Sequence, residues 1–201
     1  MRCGAGVTCA LMILGAGMTL GDEIPETNLA VMRRVASRII QHAMEGVGDS
    51  GLVVVSVRPS ATAWYLQNAI MDAVASHGRT VRTTMAEGAY VLDVAQEDLG
   101  VEYGETHRTG LFGTVMTERT VRVRLEVVLS GPAGALLSSG AQLELARDTI
   151  AVSSIPSLET PFVPVTHGEA PAGGLFDNLA EPLLMIGAVA IAVYLLFTVR
   201  S

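Results

Sequence analysis

The stretch ERTVRVRLEVVLS, residues Glu118–Ser130, decides the fold. Val121, Val123, Leu125, Val127 and Leu129 fall on one side of an extended chain, and Arg122, Arg124 and Glu126 on the other. This period-two alternation, with one dry and one wet face, is the pattern of an antiparallel strand packed on one side only. The turn Gly131-Pro132-Ala133-Gly134 follows. It leads into a second alternating run, Ala135–Arg147, with Leu137, Ala141, Leu143 and Leu145 in phase. Together they predict a long hairpin.

Upstream, Arg79–Met85 and Tyr90–Gln96 read as strands, and Gly100–Thr106 either continues the latter or stands alone. Leu52–Val57 is a short β-branched run that reads as a buried strand. Residues 28–45 place Val31, Met32, Val35, Ile39 and Ala43 at helical spacing, and Gly46 and Gly48 end that helix. Ser60 is positioned to cap a second helix, Ala61–Ser76, with Trp64, Ile70, Ala73 and Val74 facing inward. The fold expected is α+β, with two helices packed on one face of a mainly antiparallel sheet of four to five strands. To this the sequence adds one carboxy-terminal transmembrane helix.

That helix is expected from Pro182 onward, where LLMIGAVAIAVYLLFTV carries no charge. Leu183, Gly187, Ala188, Ala192, Tyr194 and Val199 lie in the expected span, at the short end of the ~17–25 residues that cross a bilayer. Ala188 and Ala192, with Gly187 beside them, allow close helix approach. Arg200 follows the span, and Asp177 and Glu181 precede it, which places the carboxy terminus in the cytoplasm. Residues 1–21 have one Arg, a short apolar run Val7–Leu14 and small residues before Asp22-Glu23, the layout of a secretory signal peptide, cleaved near Gly21, with an uncleaved signal anchor as the alternative. The expected organisation is a signal peptide at 1–21, an extracytoplasmic domain at 22–155 and a Pro/Gly linker at 156–181. A span at 182–199 and a two-residue tail at 200–201 complete it.

Composition narrows the function. Of 201 residues, 50% are hydrophobic and 16% charged, below the ~25% charged share of an average soluble domain. The deficit lies at the two apolar ends. All 13 basic side chains are Arg, they are scattered, and the net charge is −7. A nucleic-acid partner is therefore not expected. The cysteines Cys3 and Cys9 both lie in the leader, so no disulfide framework and no cysteine metal site is expected in the domain.

Residues that could carry chemistry do not assemble into a signature. Gly46-Val47-Gly48-Asp49-Ser50-Gly51 matches G-x-G-x-x-G, but a helix precedes it and a strand follows, the reverse of a dinucleotide site. Gly48-Asp49-Ser50-Gly51 also spells a serine-protease nucleophile loop without the fold or the partner residues. His42, His77, His107 and His167 lack metal-ligand spacing. Glu97, Asp98, Glu102 and Glu105 form an acidic patch around Tyr103 without a calcium-loop pattern, and read as a solvated face. No cofactor, catalytic residue or small-molecule substrate is expected. The segment His107–Glu118 is unusual because Leu111, Phe112 and Met116 place apolar groups in a loop, a hint of a docking surface.

The layout over Gly51–Arg147 resembles a group of bacterial envelope proteins. The elements that match are a strand, an amphipathic helix ending at Gly78, a strand, and long antiparallel strands joined by a Gly-rich hairpin. The group comprises the curli-transport lipoprotein family, the penicillin-binding-protein activator lipoproteins and the amino-terminal domain of TolB. This chain departs from them in its expected terminal span. The resemblance implies a periplasmic module that docks other envelope proteins, and it transfers no functional residue.

The function expected is that of a non-enzymatic protein of the cytoplasmic membrane, with the lipid bilayer and other envelope proteins as partners. Leu111, Phe112, Met116, Arg122 and Arg124 are the candidate contacts. An accessory subunit of a multi-span transport complex and an enzyme with an unfamiliar site are the alternatives.

Overall fold

The computed structural model describes residues 24–45, 47, 51–76, 78–110, 113–169 and 177–198. In the last segment, side chains are described at 183 and 185–198. The expected signal peptide, with Cys3 and Cys9, lies outside these residues, as do His77, Leu111, Phe112, Val199 and Arg200.

The chain opens with helix α1, Asn28–Ala43, whose Thr27 side chain accepts from the Ala30 amide. Strand β1, Leu52–Val57, and helix α2, Ala63–Ala75, follow. Then come β2, Thr80–Arg82, β3, Tyr90–Arg108, β4, Val115–Ser130, and β5, Leu136–Ala151. A single turn of helix, α3, spans Ile155–Leu158, and α4 spans Asp177–Thr198. The sheet has the order β2-β1-β3-β4-β5. β1 runs parallel to both β2 and β3, whereas β3-β4-β5 is antiparallel. The α+β class holds, with a mixed five-stranded sheet.

α1 and α2 share the core with the dry face of the sheet. Val31, Met32, Val35, Ala36, Ile39 and Ile40 of α1 are buried. They meet Val121, Val123, Leu125, Val127 and Leu129 of β4, so the alternation that opened the sequence reading holds residue for residue. In α2 the inward face differs from the sequence reading. Tyr65 and Leu66 are buried with Ile70, Ala73 and Val74, while Trp64 is 62% exposed. The helix begins two residues later than expected, at Ala63, and Ser60 contributes its carbonyl to the Ala63 amide at 3.3 Å.

β3 runs for 19 residues because a bulge repairs its phase. Its pairing with β4 slips between Gln96 and Asp98. Before the slip, Leu92 and Val94 are buried. After it, Leu99, Val101 and Tyr103 are. An extra residue opposite one partner residue is what a β-bulge inserts, and here it turns odd positions inward. The β4–β5 hairpin closes at Gly131–Ala135, where the Gly131 amide donates to Ala135 O at 2.8 Å and Gly134 takes φ +76°.

The carboxy-terminal part corrects two expectations. Much of the expected linker packs against the domain. Ile155, Leu158, Val163 and Thr166 are buried, and residues 155–168 strap across the end of β3. The second correction concerns the transmembrane helix. Among the described residues, no helix is long and apolar enough to cross a membrane. α4 has 22 residues, but it begins at Asp177 and its first turns carry Glu181 and Pro182. The apolar part from Leu183 to Thr198 covers about 24 Å at ~1.5 Å per residue, short of a ~30 Å hydrocarbon core. Leu183, Gly187, Ala188, Ala192 and Tyr194 therefore lie on an exposed apolar helix and not in a supported span. The single-pass topology loses its footing with it.

Candidate protein-docking face

The face of the sheet turned away from α1 and α2 carries a lattice of alternating charge. Arg58, just after β1, reaches Asp93 on β3 at 3.4 Å and Glu126 on β4 at 3.1 Å. Arg124 meets Glu97 at 2.6 Å. Arg122 meets Asp98 at 2.7 Å and Glu102 at 2.6 Å. At the far end Arg147 of β5 stands 3.9 Å from Glu118. The wet face of β4 supplies two of the four cations, Arg122 and Arg124, and the bulged strand β3 supplies most of the anions. Hydrogen bonds to Asp98, then to Glu102, raise the pKa of Arg122 above its ordinary value, so it stays charged at any physiological pH. The pairs are half-exposed and add little to stability each. Their effect is to fix the positions of charges on this face of the sheet.

Two of the candidate contacts, Arg122 and Arg124, thus lie side by side on this face. Met116 is half-buried near the turn that joins β3 to β4, opposite His107 and Ala151 in the ladders. Leu111 and Phe112 lie outside the described residues. Three of the four carboxylates in the acidic patch, Glu97, Asp98 and Glu102, are neutralised by Arg122 and Arg124. Among the described residues, no group of three or more His, Cys, Asp or Glu side chains could hold a metal ion. His42 pairs with Glu45 at 3.1 Å on the surface. Gly46, Gly48, Asp49 and Ser50 of the glycine motif lie outside the described residues.

Sequence reading missed a buried polar network behind the sheet. Arg119 is 0% exposed. Its Nε donates to Asp148 Oδ1 at 2.8 Å, and a second nitrogen reaches the other carboxylate oxygen. Its remaining guanidinium nitrogen donates to Glu26 O at 2.7 Å and to Asn28 Oδ1 at 2.8 Å. Asn28, at the first position of α1, donates to Tyr103 Oη at 2.8 Å and to Thr166 O at 2.7 Å. Tyr103 in turn donates to Glu159 Oε1 at 3.3 Å. Glu159 also accepts from the Gly168 amide at 3.1 Å and lies 3.6 Å from His167. Burial raises the Tyr103 pKa, the Asn28 hydrogen bond opposes this, and the Glu159 charge adds to it. The network ties the start of α1, the bulged strand, β5 and the strap into one unit. The signal was available: the alternation that puts Thr117 and Val121 inward puts Arg119 inward as well.

The described pockets are open. One of about 510 Å³ lies among Ile24, Pro25, Glu26, Arg34 and Asp148, and one of about 410 Å³ among His42, Val47, Leu129, Leu137 and Gln142. Thr149 also lines the first, and Ser138 lines the second beside His42.

No protein-family model and no curated protein matches the chain. Solved structures that align with it include the rare lipoprotein B of Shewanella oneidensis. The identity is 13% and the TM-score 0.32, over 73% of this chain and 91% of that one. A neuraminyllactose-binding hemagglutinin homolog from Helicobacter pylori aligns at 10% identity and TM-score 0.32, over 52% of this chain and 65% of that one. At such scores neither likeness carries a functional argument.

Proposed function

We propose that this chain is a non-enzymatic module of the bacterial envelope whose charged sheet face docks another envelope protein. The observation that carries the reading is the ion-paired surface around Arg122 and Arg124. It spans three long strands and holds both signs of charge in fixed places. Charge patterns of this kind give register and partner discrimination more than raw affinity. An extracytoplasmic location is part of the proposal. It is supported by the leader-like amino-terminal segment with Arg2, Val7–Leu14 and Asp22.

The test is photocrosslinking in the native host. A photoreactive amino acid at Arg122 or Arg124 yields a discrete adduct with one protein, and the same residue at Arg38 on the helix side does not. Adducts of equal pattern from both faces, or none from 122 and 124, overturn the reading.

A further inference from the structure

The outer edge of β5 is a site that the docking face does not use. Among the described residues, β5 closes one side of the sheet and pairs with β4 alone. It is 16 residues long, contains no proline, and exposes Leu143 (53%) and Leu145 (44%) on the charged-face side. The opposite edge, β2, has only three residues. An edge this long, against which no other described strand is paired, is a template for another strand. The charges that would repel a strand are already engaged inside the molecule. Asp148 is held by Arg119, and Glu144 lies 3.5 Å from Arg38.

We infer that the edge is occupied by β5 of a second copy, antiparallel, about a two-fold axis at Leu143. A two-fold axis normal to a sheet sets each residue opposite one of equal parity, so only a few registers exist. The axis at Leu143 sits at the midpoint of the strand and uses its whole length. It sets Leu143 against Leu143, Leu145 against Ala141, Arg147 against Ser139, Glu144 against Gln142, and Asp148 against Ser138. No like charges face each other, and Ala141, Leu143 and Leu145 of both copies merge into one apolar strip. Moving the axis to Glu144 puts that carboxylate against itself, which is destabilising across strands. Moving it to Leu145 sets Arg147 against Leu143 and leaves Leu136–Ser138 unpaired. The result is a ten-stranded sheet in which both copies turn their charged faces the same way. This inference stands independently of the docking proposal.

The experiment uses the full chain in mild detergent, which keeps the exposed apolar side chains of α4 soluble. Analytical ultracentrifugation is expected to show a dimer. L143R places two guanidiniums across the axis and weakens self-association at least about tenfold. In a C3S/C9S background, L143C forms a disulfide-linked dimer under mild oxidation. S139C does not, because the two copies of position 139 stand about 26 Å apart at ~3.3 Å per residue. A monomeric wild-type chain overturns the proposal. So does a dimer that L143R leaves intact, or S139C linking as readily as L143C. If L143R fails to fold, the cysteine pair decides alone.

Discussion

Removing Asp148 destabilises this protein more than removing Arg119, although the two form one ion pair. Arg119 is 0% exposed and the Asp148 side chain 45% exposed. Asp148→Ala leaves a fully buried guanidinium with only the Glu26 carbonyl and Asn28 Oδ1 as acceptors. Breaking a buried pair so that the charge stays behind costs roughly 3–5 kcal/mol. Arg119→Met keeps the stem volume and removes the charge. The Asp148 carboxylate then turns to water at little cost. What remains is two buried acceptors without donors, at about 1 kcal/mol each. Arg119→Met is therefore expected to cost about 2 kcal/mol, and the double variant no more than the single Arg119→Met. Urea unfolding followed by circular dichroism resolves the difference, because ~2 kcal/mol separates midpoints by about 1 M at typical slopes. Equal losses from both single variants, or a larger loss from Arg119→Met, would refute the assignment of the buried charge as the costly partner.

Three further outcomes follow from particular residues. Deleting Glu97 removes the bulge, makes the alternation from Leu92 to Val101 continuous and keeps Leu99 and Val101 opposite Val123 and Val121, so calorimetry should still show cooperative unfolding, with only the Arg124 ion pair lost. Gly168→Ala sets a Cβ 2.7 Å from Tyr103 Cε2 and 3.0 Å from Val101 O, both inside contact distance. It should free the strap and raise proteolysis within 155–168 without melting the sheet. The Tyr103 pKa is raised by burial, so its contribution to stability is whole below the unfolded value near 10 and declines as pH climbs from there through the folded value. Absorbance titration should show one late-titrating phenol that disappears in Tyr103→Phe.

The hairpin was legible because Val121 to Leu129 alternate without interruption and both β4 faces are chemically distinct. The break in β3 was not. Leu92 and Val94 are in phase with each other, and Leu99 and Val101 with each other, but not across Glu97. Local periodicity therefore suggests two strands where the ladder continues through a bulge. α2 was misphased because Trp64 outweighs its neighbours in apolarity, while the face is set by Tyr65, whose hydroxyl reaches the strap at Phe162 O, 3.2 Å away. The prolines of 156–164 were read as a linker. They start short turns that carry Leu158, Val163 and Thr166 into the core, and such tertiary contacts leave no period in the sequence. The apolar carboxy-terminal run gave a helix, as expected. Its charged and Pro-bearing first turns shorten the apolar length below what a span needs. Arg122 and Arg124 were legible as wet-face residues. Their carboxylate partners lie 20 or more residues upstream, and their pairing depends on the register of β3.

Carboxyl footprinting by carbodiimide labelling and mass spectrometry, run on the native envelope and on the purified chain, tests the docking face most directly. The account predicts that Glu97, Asp98, Glu102 and Glu126 are labelled in the purified chain and protected in the envelope, while Glu26 and Glu45 label equally in both. Protection confined to Glu26 and Glu45, or none at all, would contradict it.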